Sequence, residues 1–189
     1  MTTSDFPLPT DLPRPVDDGA CDHLVGLGMP PVTLTSTNGR TVNLAAVGSK
    51  RTIIYCYPMT GIPGTPLPEG WDQIPGARGC TPQACAFRDH YAELSELGAA
   101  VFGLSTQATA YQQEMATRLH LPFEILSDAH LQLCRALRLP TFDVDAMRLV
   151  KRLTLIIRDG TIEACFYPVF PSDQSAQAVV DWLRGSEPV

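Results

Sequence analysis

The segment that most constrains the fold is residues 51–57, an arginine followed by six β-branched, aromatic or small apolar residues (RTIIYCY) that end at Pro58. After the arginine the segment carries no charge, so it fits a strand that is buried on both faces. Residues 99–105 (AAVFGLS) form a second run of this kind farther along the chain. Strands buried on both faces need other elements above and below them, so the sequence predicts the central strands of an α/β sheet.

Two tight-turn signals predict β-hairpins on either side of these strands. Asn38-Gly39 joins two stretches that alternate apolar and polar residues, and Asp159-Gly160 joins two β-branched stretches. Asn-Gly and Asp-Gly are the pairs that two-residue hairpin turns favour. The hairpins cover residues 32–44 and 152–167. Because the second one adds antiparallel strands, we predict a mixed central sheet with an N-terminal β-hairpin.

Apolar residues at three- and four-residue steps predict helices between and after the strands. The first predicted helix faces inward with Ala84, Phe87, Tyr91, Leu94 and Gly98, and the second with Ala108, Tyr111, Met115 and Leu119. The third helix is capped at Ser127-Asp128 and faces inward with Leu131, Cys134 and Leu137. The last helix begins near Ser172 and faces inward with Ala176, Val179, Val180 and Leu183. A short strand at residues 123–126 completes an alternation of strands and helices that is typical of the α/β class.

Two stretches lie outside this alternation. Residues 1–31 are rich in proline and small polar residues, and we predict an irregular N-terminal extension at residues 1–24 before one domain at residues 25–189. Residues 59–79 are rich in glycine and proline and show no periodicity. A loop of this length inside a compact domain is uncommon and usually functional.

Charge and cysteine content narrow the class of protein. The net charge of -6 argues against nucleic acid or an anionic membrane surface as the main partner. No basic stretch followed by an apolar run opens the chain, and no run has transmembrane length, so we expect a cytoplasmic protein without a membrane partner. The reducing cytosol disfavours structural disulfides among the six cysteines. Cys56, Cys134 and Cys165 fit structural positions in strands and on a helix face.

Cys80 and Cys85 raise a chemical question, because they stand where a glycine-rich loop turns into a helix. Free backbone N–H groups, the helix dipole and the nearby Arg78 and Arg88 all favour a thiolate at Cys80. Along a helix, five positions place the two Cα atoms roughly 8–9 Å apart, whereas a disulfide needs less than about 7 Å. The two thiols can therefore form a disulfide only if the first turn of the helix unwinds.

Two other interpretations of this pair remain open from the residues alone. A zinc site could use Cys80, Cys85 and His90, but this spacing is not a usual ligand pattern and no fourth ligand is evident. Alternatively, both cysteines could be inert residues in a helix, an interpretation that suits Cys85 at the apolar face better than Cys80. We predict no metal and no cofactor.

The motif Gly79-Cys80-Thr81-x-x-x-Cys85-x-Phe87-Arg88-Asp89 resembles the active-site signature of the peroxiredoxins, in particular the peroxiredoxin Q / bacterioferritin comigratory protein subfamily. The resemblance extends over roughly residues 25–185 and implies a thioredoxin-like fold. It also implies a thiol-dependent peroxidase that reduces hydrogen peroxide or organic hydroperoxides, as a monomer or homodimer.

The resemblance implies a role for several residues. Cys80 would be the peroxidatic cysteine and Cys85 the resolving cysteine, which together form an intramolecular disulfide. Arg152 would lie beside Cys80 and polarise the peroxide. A thioredoxin-like or glutaredoxin-like donor would then reduce the disulfide. The remaining implied residues, which bind substrate or support the site, are Tyr57, Pro58, Thr81 and Gln83.

The chain departs from the family pattern in three places. Ala77 stands where the family has a threonine or serine, Gln83 stands where a glutamate is frequent, and residues 59–79 form an insertion. Thr60 or Thr65 could replace the missing hydroxyl. The departures keep two other hypotheses open: a thioredoxin-fold redox sensor or disulfide-exchange protein with weak peroxidase activity, and a binding module that uses Trp71 in the insertion. In a peroxidase, Trp71 would instead belong to a lid.

Overall fold

The computed structural model describes residues 8–47 and 51–186, and within them a mixed β-sheet is covered on both sides. The strands are β1 (Thr33–Ser36), β2 (Thr41–Asn43), β3 (Arg51–Cys56), β4 (Ala99–Ser105), β5 (Glu124–Ser127), β6 (Thr141–Val144), β7 (Met147–Val150), β8 (Leu153–Arg158) and β9 (Thr161–Phe166). The helices are α1 (Cys80–Asp89), α2 (Tyr91–Glu96), α3 (Thr109–Arg118), α4 (Gln132–Ala136) and α5 (Ser175–Gly185).

The central sheet has the strand order β2-β1-β5-β4-β3-β8-β9, and β6 and β7 pair separately. At its centre, β3 runs parallel to β4 and antiparallel to β8, with Cys56 opposite Leu153. Both predicted hairpins form, β1-β2 and β8-β9, the second through Asp159 and Gly160 at positive φ. The predicted mixed α/β sheet with an N-terminal hairpin is thus confirmed.

The two faces of the sheet bury separate apolar clusters, because successive side chains of a strand point to opposite faces. Ile53 and Tyr55 of β3 face one cluster with side chains from α1, α2, α3 and α5. Ile54 and Cys56 face the other cluster, which α4 and residues 21–29 cover. This two-sided burial explains why β3 carries no charge after Arg51.

Three details differ from the sequence-based expectations. The predicted helix over residues 84–98 divides at His90 into α1 and α2. The β6-β7 hairpin was not predicted. The predicted inward face of α3 is partly wrong, since Ala108 is exposed and Gln112 is buried instead. Burial of Gln112 is possible because its amide donates to Ser105 Oγ and to the carbonyl of Leu126, both at 2.9 Å.

The chain before β1 contributes to the core. Cys21, Leu24 and Met29 are buried in the second cluster, and the backbone near Gly28 bridges to Thr161 of β9. Residues 1–7 of the predicted extension lie outside the described residues. In the part of the chain that the structure describes, no helix is both long and apolar enough to cross a membrane.

Candidate active site

Cys80 is the first residue of α1, at the end of the long segment that follows the central strand β3. Gly79 turns the backbone into the helix with a φ of 102°, a left-handed conformation that favours glycine. The first helical hydrogen bond runs from the amide of Gln83 to the carbonyl of Gly79, at 3.0 Å. Cys80 therefore lies where the free N–H groups and the positive end of the helix dipole favour an anion.

Arg152 reaches Cys80 from the neighbouring strand. It directly precedes β8, whose Leu153 lies opposite Cys56 at the carboxyl end of β3. Its Nη2 lies 3.2 Å from the sulfur of Cys80, and the side chain is buried. The predicted proximity of Arg152 to Cys80 is thus present in the folded chain.

Neutral groups complete the surroundings of the Arg152 guanidinium. The carbonyl oxygens of Gly76, Ala77 and Arg78 accept its N–H groups at 3.3, 3.1 and 3.1 Å, and Gln83 Oε1 accepts a further bond. Among the described residues, none of its hydrogen-bond acceptors is a carboxylate. A buried cation is costly without an opposite charge nearby, and in the described part of the chain the Cys80 sulfur is the one ionisable group that the guanidinium contacts.

Gln83 connects Arg152 to helix α5. Its Oε1 accepts from Arg152, and its Nε2 donates to Ser175 Oγ at 3.2 Å, while the whole side chain is buried. An amide suits this place because it accepts at one end and donates at the other. Ser175 was not predicted as a site residue, because it lies 92 positions from Gln83 and no local signal joins the two.

Cys85 lies on the same wound helix and is fully buried among apolar side chains. Burial raises the pKa of its thiol, an effect that Arg88 partly offsets. Within the described residues, Cys80 and Cys85 are both free thiols. The contrast between a thiol beside a cation and a thiol in an apolar surrounding gives the two cysteines different chemistry.

A cavity of about 470 Å³ opens beside Cys80. Its walls combine apolar side chains of the 59–79 segment with two cations, Arg78 and Arg118, and with Thr81. Thr60 and Thr65 also line it, so both hydroxyl candidates lie around the same space as Cys80. Tyr57 and Pro58 are buried directly before this segment, and burial raises the pKa of Tyr57.

The 59–79 segment folds back onto the domain. Trp71 is 4% exposed and packs with Met59, Ala77 and Leu149. Its ring lies 6.3 Å from that of Phe142 in β6, centroid to centroid. Since Trp71 is buried in the chain's own core, it is not available as an exposed anchor for a partner, and the binding-module hypothesis loses its main residue.

The zinc interpretation finds no support in the described residues, which contain no group of three or more His, Cys, Asp or Glu side chains that could hold a metal ion. His90 instead pairs with Glu93 through its Nδ1 at 2.9 Å. Ala77, near the end of the 59–79 segment, is fully buried against Met59 and Trp71, and its carbonyl accepts from both Arg152 and the Cys80 thiol. The side chain at this position is a methyl group, so the hydroxyl that the resemblance predicts here is absent.

Comparisons with known proteins identify the family to which the chain is similar. The Redoxin family model matches residues 24–180. The chloroplastic peroxiredoxin Q of Sedum lineare is 37% identical over 99 residues, which are 52% of this chain and 45% of that protein. A Coxiella burnetii protein classed as peroxiredoxin bcp is 28% identical over 165 residues, covering 84% of this chain and 97% of that protein. The chain thus spans less than half the length of the plant relative.

A solved structure shows the same fold. Peroxidoxin BcpB from Mycobacterium tuberculosis superimposes with a TM-score of 0.71 at 24% identity, over 88% of this chain and all of that one. At this identity the likeness concerns the fold alone, and it confirms the predicted thioredoxin-like architecture.

Proposed function

Because the chain belongs to the Redoxin family, and specifically resembles its peroxiredoxin Q and bcp members, we propose that it is a thiol-dependent peroxidase that reduces hydrogen peroxide or organic hydroperoxides. One observation carries the proposal. The buried guanidinium of Arg152, which has only neutral acceptors among the described residues, lies 3.2 Å from the sulfur of Cys80 at the start of a helix. A thiolate is the nucleophile that such a cation stabilises.

In the proposed first step, the Cys80 thiolate attacks the terminal oxygen of the hydroperoxide. The O–O bond breaks, water or an alcohol leaves, and Cys80 becomes a sulfenic acid. Negative charge moves from the sulfur to the leaving oxygen during this step. Arg152 and the N–H groups at the start of α1 are already directed at this region, so they stabilise that charge without reorganisation.

Gln83 and Ser175 support this step indirectly. Gln83 holds one edge of the guanidinium, and Ser175 fixes the amide that does so. Thr81 and one of the two cavity hydroxyls, Thr60 or Thr65, would contact the peroxide. Tyr57 lies in the same buried cluster as Cys80, and Pro58 is buried directly before the 59–79 segment, so both would support the site from behind.

In the proposed second step, Cys85 condenses with the sulfenic acid. Its thiol displaces water, and the two sulfurs form an intramolecular disulfide. A thioredoxin-like or glutaredoxin-like dithiol would reduce that disulfide and restore both thiols. No metal or cofactor takes part in the proposed cycle. The cytoplasmic location and the monomeric or homodimeric state stay predictions.

The experiment mixes reduced protein with one equivalent of hydrogen peroxide and follows free thiols over time. We expect the rapid loss of two thiols in the parent protein, a trapped sulfenic acid in Cys85→Ser, and no rapid reaction in Cys80→Ser. Cys134→Ser is the matched control, because Cys134 is equally buried but lies on the opposite face of the sheet. Thiol loss no faster than for free cysteine would contradict the proposal.

Ala77 favours a second candidate function, a redox sensor or disulfide-exchange protein. The methyl group of Ala77 cannot orient a peroxide, and a single positioned donor can contribute roughly a hundredfold or more to a rate. This candidate keeps the Cys80–Cys85 disulfide but predicts slow oxidation by peroxide and faster oxidation by a protein disulfide. The same thiol measurement with an oxidised thioredoxin-like protein distinguishes the two functions.

A further inference from the structure

Cys21 and Cys165 lie together on the face of the sheet opposite Cys80 and Cys85. Cys21 is buried in the cluster that covers Ile54 and Cys56, and Cys165 of β9 packs against the same cluster. Cys80 and Cys85 belong to the cluster on the other face. The sheet therefore separates two sets of thiols.

Backbone and side-chain contacts hold Cys21 beside β9 from both directions. On one side, Gly26 donates to the carbonyl of Ile162, whose amide donates to Leu27, both at 2.9 Å. On the other side, the carboxylate of Asp18 accepts from Tyr167 Oη and Lys151 Nζ, also at 2.9 Å. Residues 17–29, which we call the N-terminal strap, are thus fixed at both ends of the β9 stretch that contains Cys165.

Within this frame the two thiols interact directly. The interaction between the two thiols lowers the pKa of Cys165 and, together with burial, raises that of Cys21. Cys165 is partly exposed, whereas Cys21 is 6% exposed. One partner of the pair is therefore accessible and the better nucleophile, and the other is sheltered behind it.

We propose that Cys21 and Cys165 form a second oxidisable thiol pair, whose disulfide fastens the N-terminal strap to β9. The sequence indicates only a structural role for Cys165, so the pair lies outside the machinery described above. The proposal does not depend on the peroxidase function, because the two cysteines lie on the other face of the sheet.

The chemistry balances with a hydroperoxide as oxidant. The thiolate of Cys165 attacks the O–O bond, the leaving oxygen takes a proton and departs as water or an alcohol, and Cys165 becomes a sulfenic acid. The thiol of Cys21 then displaces water and forms the S–S bond. The two thiols supply two electrons, and the peroxide takes up both.

Two further cysteines of the same cluster are poorer candidates. Cys56 lies within the central strand, fully buried, and burial raises the pKa of its thiol. Burial, together with the nearby carboxylate of Asp128, also raises the pKa of Cys134. Since Cys56 and Cys165 belong to the same cluster, the experiment must identify the partner.

The strap gives the disulfide a structural consequence. The chain just before it passes the candidate active site, because Leu8 lines the cavity beside Cys80 and Pro15 lies near Gly76. A disulfide at Cys21 would close a loop across most of the chain, which restricts the unfolded state. Oxidation should therefore stabilise the fold and hold the strap against β9.

The test uses the full chain carrying Cys80→Ser and Cys85→Ser, so that the pair on the other face cannot react. The protein is treated with hydrogen peroxide, digested without reduction, and mapped by mass spectrometry. We expect a peptide that links Cys21 to Cys165, a mass lower by two hydrogens, and a higher midpoint of thermal unfolding. Adding Cys165→Ser should abolish all three effects, and adding Cys134→Ser should abolish none.

Mapping the unsubstituted protein in the same way provides a measurement that needs no variant to fold. A linked Cys21–Cys165 peptide there, beside a Cys80–Cys85 one, supports the proposal. A Cys56–Cys165 link, or Cys165 that is oxidised to a sulfinic acid while Cys21 stays free, would overturn it. Failure of the peroxidase assay would leave this result unaffected, since the two readouts concern different peptides.

Discussion

Gly79 sets the direction of the backbone just before Cys80. Its φ of 102° is unfavourable for other residues, and a Cβ atom there would lie 2.1 Å from Ser172 Oγ and 2.9 Å from a methyl carbon of Leu8. The backbone conformation and the close approach of neighbouring atoms each oppose any residue with a Cβ atom at position 79. A glycine is therefore required here for two independent reasons.

We expect Gly79→Ala to lower the free energy of unfolding by roughly 2–5 kcal/mol, the sum of a left-handed backbone cost of about 1–2 kcal/mol and an overpacking cost of about 1–3 kcal/mol. Gly64→Ala is the matched control, because Gly64 has a φ of 81° with no atom within 4 Å of the added Cβ. The Gly64→Ala variant should lose only the part of the unfolding free energy that comes from the left-handed backbone conformation. Urea unfolding of both variants measures the difference. Equal decreases in the free energy of unfolding would show that Ser172 can move away from the added Cβ atom without an energetic cost.

Residue-level prediction succeeded where the chemistry is local and failed where it depends on the fold. The start of α1 at Cys80 follows from the glycine and proline around it, and Asp128 caps α4 as expected by accepting from the amides of Gln132, Leu133 and Cys134. Ser175 could not be predicted, because its role exists only once α5 packs on α1. The carbonyl of Ala77 was missed for a different reason, since a main-chain oxygen leaves no sequence signal.

At the scale of elements, α1 must change shape if Cys80 and Cys85 are to form a disulfide. The helix is wound from Cys80 to Asp89, so it separates the two Cα atoms by roughly 8–9 Å, beyond the limit of about 7 Å for a disulfide. Its first turn is held by the bond between Gln83 and Gly79. A single turn has little stability of its own, so local unwinding is feasible.

We expect oxidation to release the amide protons at the start of α1. Hydrogen exchange followed by mass spectrometry should show faster exchange in residues 83–89 of the oxidised protein than of the reduced protein. Helix α5 supplies the internal control and should exchange equally in both states, apart from its first turn at Ser175. If residues 83–89 stay equally protected after the Cys80–Cys85 disulfide has formed, α1 does not unwind and the separation argument is wrong.

The β6-β7 hairpin illustrates the limit of prediction for elements. The hairpins at Asn38-Gly39 and Asp159-Gly160 carry local turn signals, whereas β6 and β7 are joined at Asp145 without such a pair. Phe142 and Leu149 pack instead on Trp71 and its neighbours in the 59–79 segment. The long loop and the unpredicted hairpin thus stabilise each other, and neither could be understood from its own sequence.

At the scale of the whole molecule, the sheet divides the protein into an active-site face and a face closed by the chain's own N-terminal strap. Leu24 is fully buried and Cys21 nearly so, although the residues around them show no periodicity that predicts burial. Contacts with β9 hold the strap, and Asp18 contributes through a hydrogen-bonded carboxylate whose pKa is lowered to about 2 by Lys151 and Tyr167. The predicted boundary after residue 24 falls inside the strap, between the buried Leu24 and Met29, and it stays a prediction.

Two shortened chains test where the domain begins, with the full chain as reference. A chain that starts at residue 17 keeps the strap, and a chain that starts at residue 25 loses Asp18, Cys21 and Leu24. Because deleting one buried leucine side chain costs about 2–5 kcal/mol, we expect the chain from residue 25 to have an unfolding free energy lower than that of the chain from residue 17 by at least this amount. Both chains lack Leu8 at the cavity, so the comparison isolates the strap from effects at the active site. Equal stability of the two chains would place the boundary after residue 24, and would mean that the strap covers the sheet without stabilising it.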